Sequence, residues 1–192
     1  MASLPFDPAT LSPSDLALYN RMVERRKAQG AGFGGPYRAL MNHPRLCEKI
    51  EDLGYFLKFE GRLPRDVYQF VVLCVARSTG AAFEWSDHIE HAKAAGVPLS
   101  AIDALRRNGL SHGGFPAPFD LVAEALGSTL CWKEVPEALQ SQLIERYGVQ
   151  GFVELVVLSG FYQMFSAINQ GFLIPAEAAH QNEMMSPTIT LK

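Results

Sequence analysis

The sequence predicts an all-α fold, a single-domain helical bundle, and three observations lead there. Apolar residues recur three and four apart along most of the 192 residues. Proline, serine and glycine punctuate those stretches where helices start and stop. No run alternates apolar and polar residues between hairpin turns, so strands find no support. A chain of this size buries about 70% of the surface its unfolded form exposes, enough for one substantial core.

The elements follow in order. Ser12 caps a first helix with Pro13 at its first position and Asp15 three residues after the cap; Leu16, Tyr19, Met22 and Val23 form the expected inward stripe, ending near Ala28. The basic run Arg25-Arg26-Lys27 sits beside Glu24 and reads as a solvated face. Gly30, Gly32 and Gly35 spell G-x-G-x-x-G, but a helix rather than a strand precedes them, so the segment reads as a turn and not a dinucleotide loop. A short helix is expected over Pro36 to Met41. Another starts at His43-Pro44, with Leu46, Ile50, Leu53 and Leu57 inward and Gly61 and Pro64 ending it.

Further on, Pro98 and Ser100-x-x-Asp103 open a helix that Gly109 stops. Phe119, Leu121, Val122, Ala125 and Leu126 mark the next, and Pro136 begins one that Gly148 closes. A second apolar block runs from Val149 to Pro175, where Glu154-Leu-Val-Val-Leu-Ser can be laid over Gln69-Phe-Val-Val-Leu-Cys as a weak internal helical repeat. Residues 1–35 then form an N-terminal helix and Gly-rich turn, 36–181 the helical domain and 182–192 a C-terminal arm, one domain overall.

Charge and composition narrow the function. A net charge of -3 with no basic stripe argues against nucleic acid. No basic segment followed by an apolar one opens the chain and no apolar run reaches membrane-spanning length, so a cytoplasmic protein without membrane partners is expected. Cys47, Cys74 and Cys131 show no C-x-x-C and are expected to be reduced core residues.

The most specific chemistry lies between Asp66 and Pro98. A thirteen-residue apolar segment, expected to be buried on most of its surface, breaks at Ser78-Thr79-Gly80. Glu84, His88 and His91 then follow at i, i+4 and i+7, placing a carboxylate and two imidazoles on one helix face. A carboxylate that orients an imidazole makes an acid/base pair near neutral pH. The same spacing also suits a surface pair worth about 0.3–0.5 kcal/mol, or a facial metal site lacking ligands from a second element.

The block Phe70-Val-Val-Leu-Cys-Val-Ala-Arg77-Ser-Thr-Gly80-Ala-Ala-Phe-Glu84-Trp85-Ser-Asp-His88, with Ala92, Gly96 and Val97 after it, resembles the carboxymuconolactone decarboxylase family, which includes the AhpD-like alkylhydroperoxidases. Asn42-His43-Pro44 and the Glu154 block extend the likeness over roughly 35–175. The resemblance implies an all-helical homo-oligomer with its active site near the start of the motif helix. The peroxidase branch carries C-x-x-C before the histidine and a glutamate in the preceding helix; here Ala81, Glu84 and Gln69 stand at those positions, so thiol peroxidase activity is not expected. What remains resembles the Cys-less, cofactor-free decarboxylase pattern acting on a small carboxylated or lactone-type metabolite. His88 is the expected proton donor and Glu84 its orienting partner. Arg77 is a candidate for the substrate carboxylate, with His91 and His112 in reserve and Trp85 and Phe83 expected to pack. No metal or other cofactor is expected. The alternative is a catalytically silent oligomer serving as a binding or structural module.

Overall fold

A computed structural model describes residues 4–110 and 113–176. These fall into two compact units, residues 4–60 with Ile168–Pro175, and Gly61–Ala167 with Ala176. All regular structure among the described residues is helical, without a strand, as the sequence predicts. The first unit holds a 3-10 turn (Pro8–Thr10), α1 (Pro13–Ala28), α2 (Pro36–Leu40), α3 (Pro44–Tyr55) and a π-helical turn (Phe56–Glu60). The second holds α4 (Arg65–Thr79), α5 (Ala82–Ala94), α6 (Leu99–Asn108), α7 (Phe119–Thr129) and the greater part of α8 (Glu137–Gly171). The 182–192 arm lies outside the described residues.

Helix α1 starts as its sequence dictates: the Asp15 N–H donates to Ser12 Oγ at 3.2 Å, satisfying one of the free amides of the first turn. Its buried face differs from the expected stripe. Leu18, Met22 and Arg26 turn inward while Leu16 is exposed. The basic run is therefore not a solvated face. Arg26 is buried, its Nε donates to the Gly32 carbonyl at 2.7 Å and its guanidinium lies 4.4 Å from the Tyr37 ring centroid. The cause is Glu51, a fully buried carboxylate on α3 that pairs with Arg25 and lies 3.9 Å from Arg26. A buried carboxylate needs cations beside it, and the run supplies two.

Helix α3 is correspondingly inverted. The Leu46 N–H donates to His43 Nδ1 at 3.3 Å, which caps the helix. Its buried positions are Cys47, Glu51 and Gly54, whereas Leu46 and Leu53 of the expected stripe are exposed; Leu57, just past the helix, is buried as expected.

In the second unit, α4 is buried along nearly its whole length, from Val67 to Ser78. Each such apolar side chain stabilises the fold by about 1.5–3 kcal/mol on burial. Gly80 ends α4 at φ 71, a left-handed conformation glycine adopts without a Cβ clash, and the chain re-enters helix at Ala82. Helix α6 starts two residues earlier than the Ser100 capping box implies: Pro98 is the cap residue and Ser100 lies inside the helix. In α7, Phe119, Val122, Ala125 and Leu126 are buried as expected, while Leu121 is only partly covered. Gly148 interrupts α8 at φ 72 and ψ 168, where the sequence places a helix end. Glu154 Oε2 accepts from the N–H groups of Arg62 (2.6 Å) and Leu63 (3.2 Å), pinning the segment that leads into α4.

By length and composition α8 is apolar enough to cross a membrane, with a mean hydropathy of 1.4 over an eighteen-residue window. That corrects the expectation that no run reaches such a length. Its polar positions Ser159, Gln163 and Ser166 carry no charge, and a core helix passes the same test; 44% of the window is buried. Cys131 also departs from expectation, being exposed, whereas Cys47 and Cys74 are buried free thiols.

Candidate active site

The α4–α5 pair brings Gln69, Glu84 and His88 together, and α8 adds Tyr162. Helix α4 presents Gln69 because every face of its central turns is buried, so a polar residue there must find its partner inside the protein. Glu84 stands in the first turn of α5, where free N–H groups and the helix dipole favour a carboxylate. His88 follows one turn later. Both are 3% exposed.

The imidazole is engaged through both nitrogens. His88 Nδ1 lies 2.8 Å from Gln69 Oε1, and His88 Nε2 lies 3.3 Å from the Tyr162 hydroxyl. Tyr162 is in turn 2.7 Å from the Tyr68 hydroxyl, so four side chains from three helices form one chain of hydrogen bonds. The Tyr162 ring meets the imidazole edge-on with centroids 5.3 Å apart. Two carboxylates sit farther from the same nitrogen: Glu84 Oε2 at 3.7 Å and Asp87 Oδ2 at 3.5 Å. A buried imidazole within reach of hydroxyl, amide and carboxylate groups can accept and return a proton without bulk water taking part.

The other sequence candidates are placed differently. Arg77 is buried, and its Nε donates to the Arg106 carbonyl at 3.2 Å on α6. His91 is exposed, its ring centroid 6.2 Å from that of His88. His112 lies outside the described residues. Trp85 packs in the core, 1% exposed, with the Arg106 guanidinium 5.8 Å from its ring centroid. Among the described residues no three His, Cys, Asp or Glu side chains gather closely enough to share a metal ion, so the facial Glu84–His88–His91 arrangement does not form.

Neither buried thiol has the character of a nucleophile. Burial pushes Cys47 up to about 12 despite the nearby Arg26, and burial alone raises Cys74 well above the usual thiol range.

Sequence reasoning did not single out Tyr68 and Tyr162. The available signal was a tyrosine inside each long apolar block, where a phenol hydroxyl taken into the core needs a partner. Gln69 was legible only as the residue at the family's glutamate position.

No family model matches the chain, and no curated protein matches it. A solved structure does, that of a Cys-to-Ala variant of the debrominase Bmp8 in complex with 2,3,4-tribromopyrrole. It aligns with a TM-score of 0.65 and 15% sequence identity, over 94% of this chain and 97% of that one. The likeness shows that this chain shares the all-α fold of that structure. At this identity the likeness speaks to fold. It adds that an enzyme is built on the same arrangement of helices.

Proposed function

We propose that the protein is a cofactor-free acid/base enzyme, resembling carboxymuconolactone decarboxylase, that acts on a small carboxylated or lactone-type metabolite. The observation that carries this reading is His88, buried and hydrogen-bonded through both ring nitrogens, with Glu84 one turn before it. Surface i, i+4 pairs are solvated, whereas this pair is taken into the interior at a desolvation cost that a merely local helix contact does not offset. The debrominase neighbour supports a small cyclic substrate, since its complex holds a pyrrole. Loss of CO2 from an unsaturated acid leaves a dienolate, which requires a donor for the developing charge and a proton returned at carbon. His88 moves the proton and Glu84 steadies the ring as it does so. The raised thiols and the absence of C-x-x-C argue against thiol peroxidase chemistry.

The reading includes a homo-oligomer in the cytoplasm, without nucleic-acid partners. Val149, Val153, Val156 and Val157 form an exposed apolar stripe on α8, 38–62% exposed, and burying it between copies removes it from water. Sedimentation should give an oligomer at micromolar concentration that Val153→Glu dissociates; a monomeric wild type ends this part of the proposal.

The experiment for the activity is a pooled-metabolite screen by thermal shift, since a ligand at 100 times its dissociation constant stabilises by about 2.7 kcal/mol. The hit is then assayed for turnover with wild type and His88→Ala. Turnover lost in the variant supports the enzyme; binding without turnover leaves the non-catalytic module.

A further inference from the structure

The hydrogen-bond chain through His88 has a direction. With the Gln69 amide oriented so that Oε1 faces the ring at 2.8 Å, the oxygen accepts and His88 Nδ1 carries the proton. In a neutral ring Nε2 is then an acceptor, so the Tyr162 hydroxyl at 3.3 Å must donate to it. Tyr162 has spent its one proton, and the Tyr68 hydroxyl at 2.7 Å donates to the Tyr162 oxygen. All four side chains are at most 6% exposed, so water does not readily substitute for a missing member.

We propose that Tyr162, backed by Tyr68, and Gln69 act as positioning residues that hold His88 in the neutral Nδ1–H form, with Nε2 kept as the acceptor that faces the Tyr162 hydroxyl. The inference rests on the reading of His88 as the acid/base group and deepens it: the ring begins the cycle as a base, and becomes an acid only after Nε2 has accepted a proton. The substrate therefore arrives with a proton to give up, from a carboxyl group, a hydroxyl or a carbon, and takes it back at the carbon where negative charge develops, as when a carboxylic acid passes its proton to Nε2, loses CO2 and is reprotonated.

The charge balance at the ring decides between neutral and charged forms. On α5, Glu84 and Asp87 lie within 4 Å of Nε2 and His91 lies at a ring distance of 6.2 Å, while α4 contributes the amide of Gln69 and the phenol of Tyr68, and α8 the phenol of Tyr162. Arg65 sits 4.9 Å from the Tyr68 ring centroid. The two carboxylates favour an imidazolium; burial disfavours it, and the group in direct contact with Nδ1 is a neutral amide. A carboxylate at position 69 would tip the balance to the charged ring.

The test is ring 15N NMR of the full-length chain labelled at histidine, with His88→Gln identifying the His88 signals among the five histidines. Wild type at neutral pH should show the Nδ1–H tautomer. Gln69→Leu and Tyr162→Phe should each shift the tautomer ratio by about five- to tenfold toward Nε2–H, the scale of one lost hydrogen bond. Tyr68→Phe should shift it less in the same direction, and Gln69→Glu should give the doubly protonated ring. A wild-type ring that is Nε2–H or imidazolium overturns the proposal, and the wild-type spectrum decides even if a variant fails to fold. So does a ratio unmoved in folded Tyr162→Phe. The correct tautomer without any turnover would instead sink the enzyme reading and leave the positioning chain standing, whereas turnover with the opposite tautomer would do the reverse.

Discussion

Glu51 and Glu84 are both carboxylates withdrawn from water, 0% and 3% exposed, and the two units handle them in opposite ways. In the first unit Glu51 is held by two guanidiniums, Arg25 and Arg26, each lying over a tyrosine ring, Tyr55 and Tyr37. Arginine is always protonated, so this charge pattern is fixed at every physiological pH. In the second unit a titratable neighbour of Glu84 on its own helix is His88, 3.7 Å away, an imidazole whose protonation state can change in that range. The first arrangement stabilises a fold, and the second can move a proton. Burial of a carboxylate by itself does not mark a site; the titratability of its partner does.

The sharpest way to break this contrast is to neutralise each carboxylate in turn. Glu84→Gln preserves shape but removes the charge beside His88, and the rate on the identified substrate should fall by about 10²–10⁴, the usual contribution of a positioned acid/base group. Glu51→Gln should leave the rate within about twofold of wild type, because nothing in the first unit enters the proposed chemistry. In denaturant unfolding the order reverses, with Glu51→Gln destabilising by about 3 kcal/mol as it takes the carboxylate from the buried Arg26 and leaves Arg25 to Asp52 alone. A rate loss in Glu51→Gln comparable to that in Glu84→Gln would erase the distinction.

Alkaline pH sharpens the comparison differently, since each unit also buries a thiol. Cys47 is raised from 9.0 to about 12, and Cys74 is raised well above 9.0. In both, the folded state favours the protonated thiol more than the unfolded state does. The stabilisation is therefore complete below pH 9 and is lost as pH rises, for Cys47 over the window from 9 to about 12. Stability measured against pH should decline across that range in wild type, and Cys47→Ala and Cys74→Ala should each flatten the decline.

The smallest expected effect concerns the inverted helix α3. Leu53→Gln and Leu46→Ser should change stability by no more than about 0.5 kcal/mol, as at ordinary exposed positions, whereas a core leucine would cost about 2–5 kcal/mol. Thermal melts of the two variants check this, and a core-sized loss would restore the orientation expected from periodicity.

That last contrast shows where the sequence stops being legible. The helices of the second unit could be read because α4 carries an unbroken apolar run from Phe70 to Ala76 and Gly80 and Gly148 end segments by a backbone conformation local to themselves. The Glu84–His88 spacing is local too. In α1 and α3 periodicity misassigned the buried faces, because the orientation of both helices is set by an ion pair between residues 25 and 51, a contact that hydrophobic spacing does not encode. The same limit applies to the candidate site. Tyr68 and Tyr162 lie on helices far apart in sequence, and only their packing against α5 shows that each hydroxyl belongs to the His88 chain.

The central claim is that Glu84 and His88 work as one unit in moving a proton, and a double-mutant cycle tests it most directly. Steady-state kcat/KM for Glu84→Gln, His88→Ala and the double variant should be measured beside their melting curves. The account predicts that His88→Ala abolishes turnover with the fold intact, that Glu84→Gln lowers it by about 10²–10⁴, and that the double variant is little worse than the poorer single one. Independent, additive losses would contradict a shared function, and unchanged rates in all three would contradict the enzyme itself.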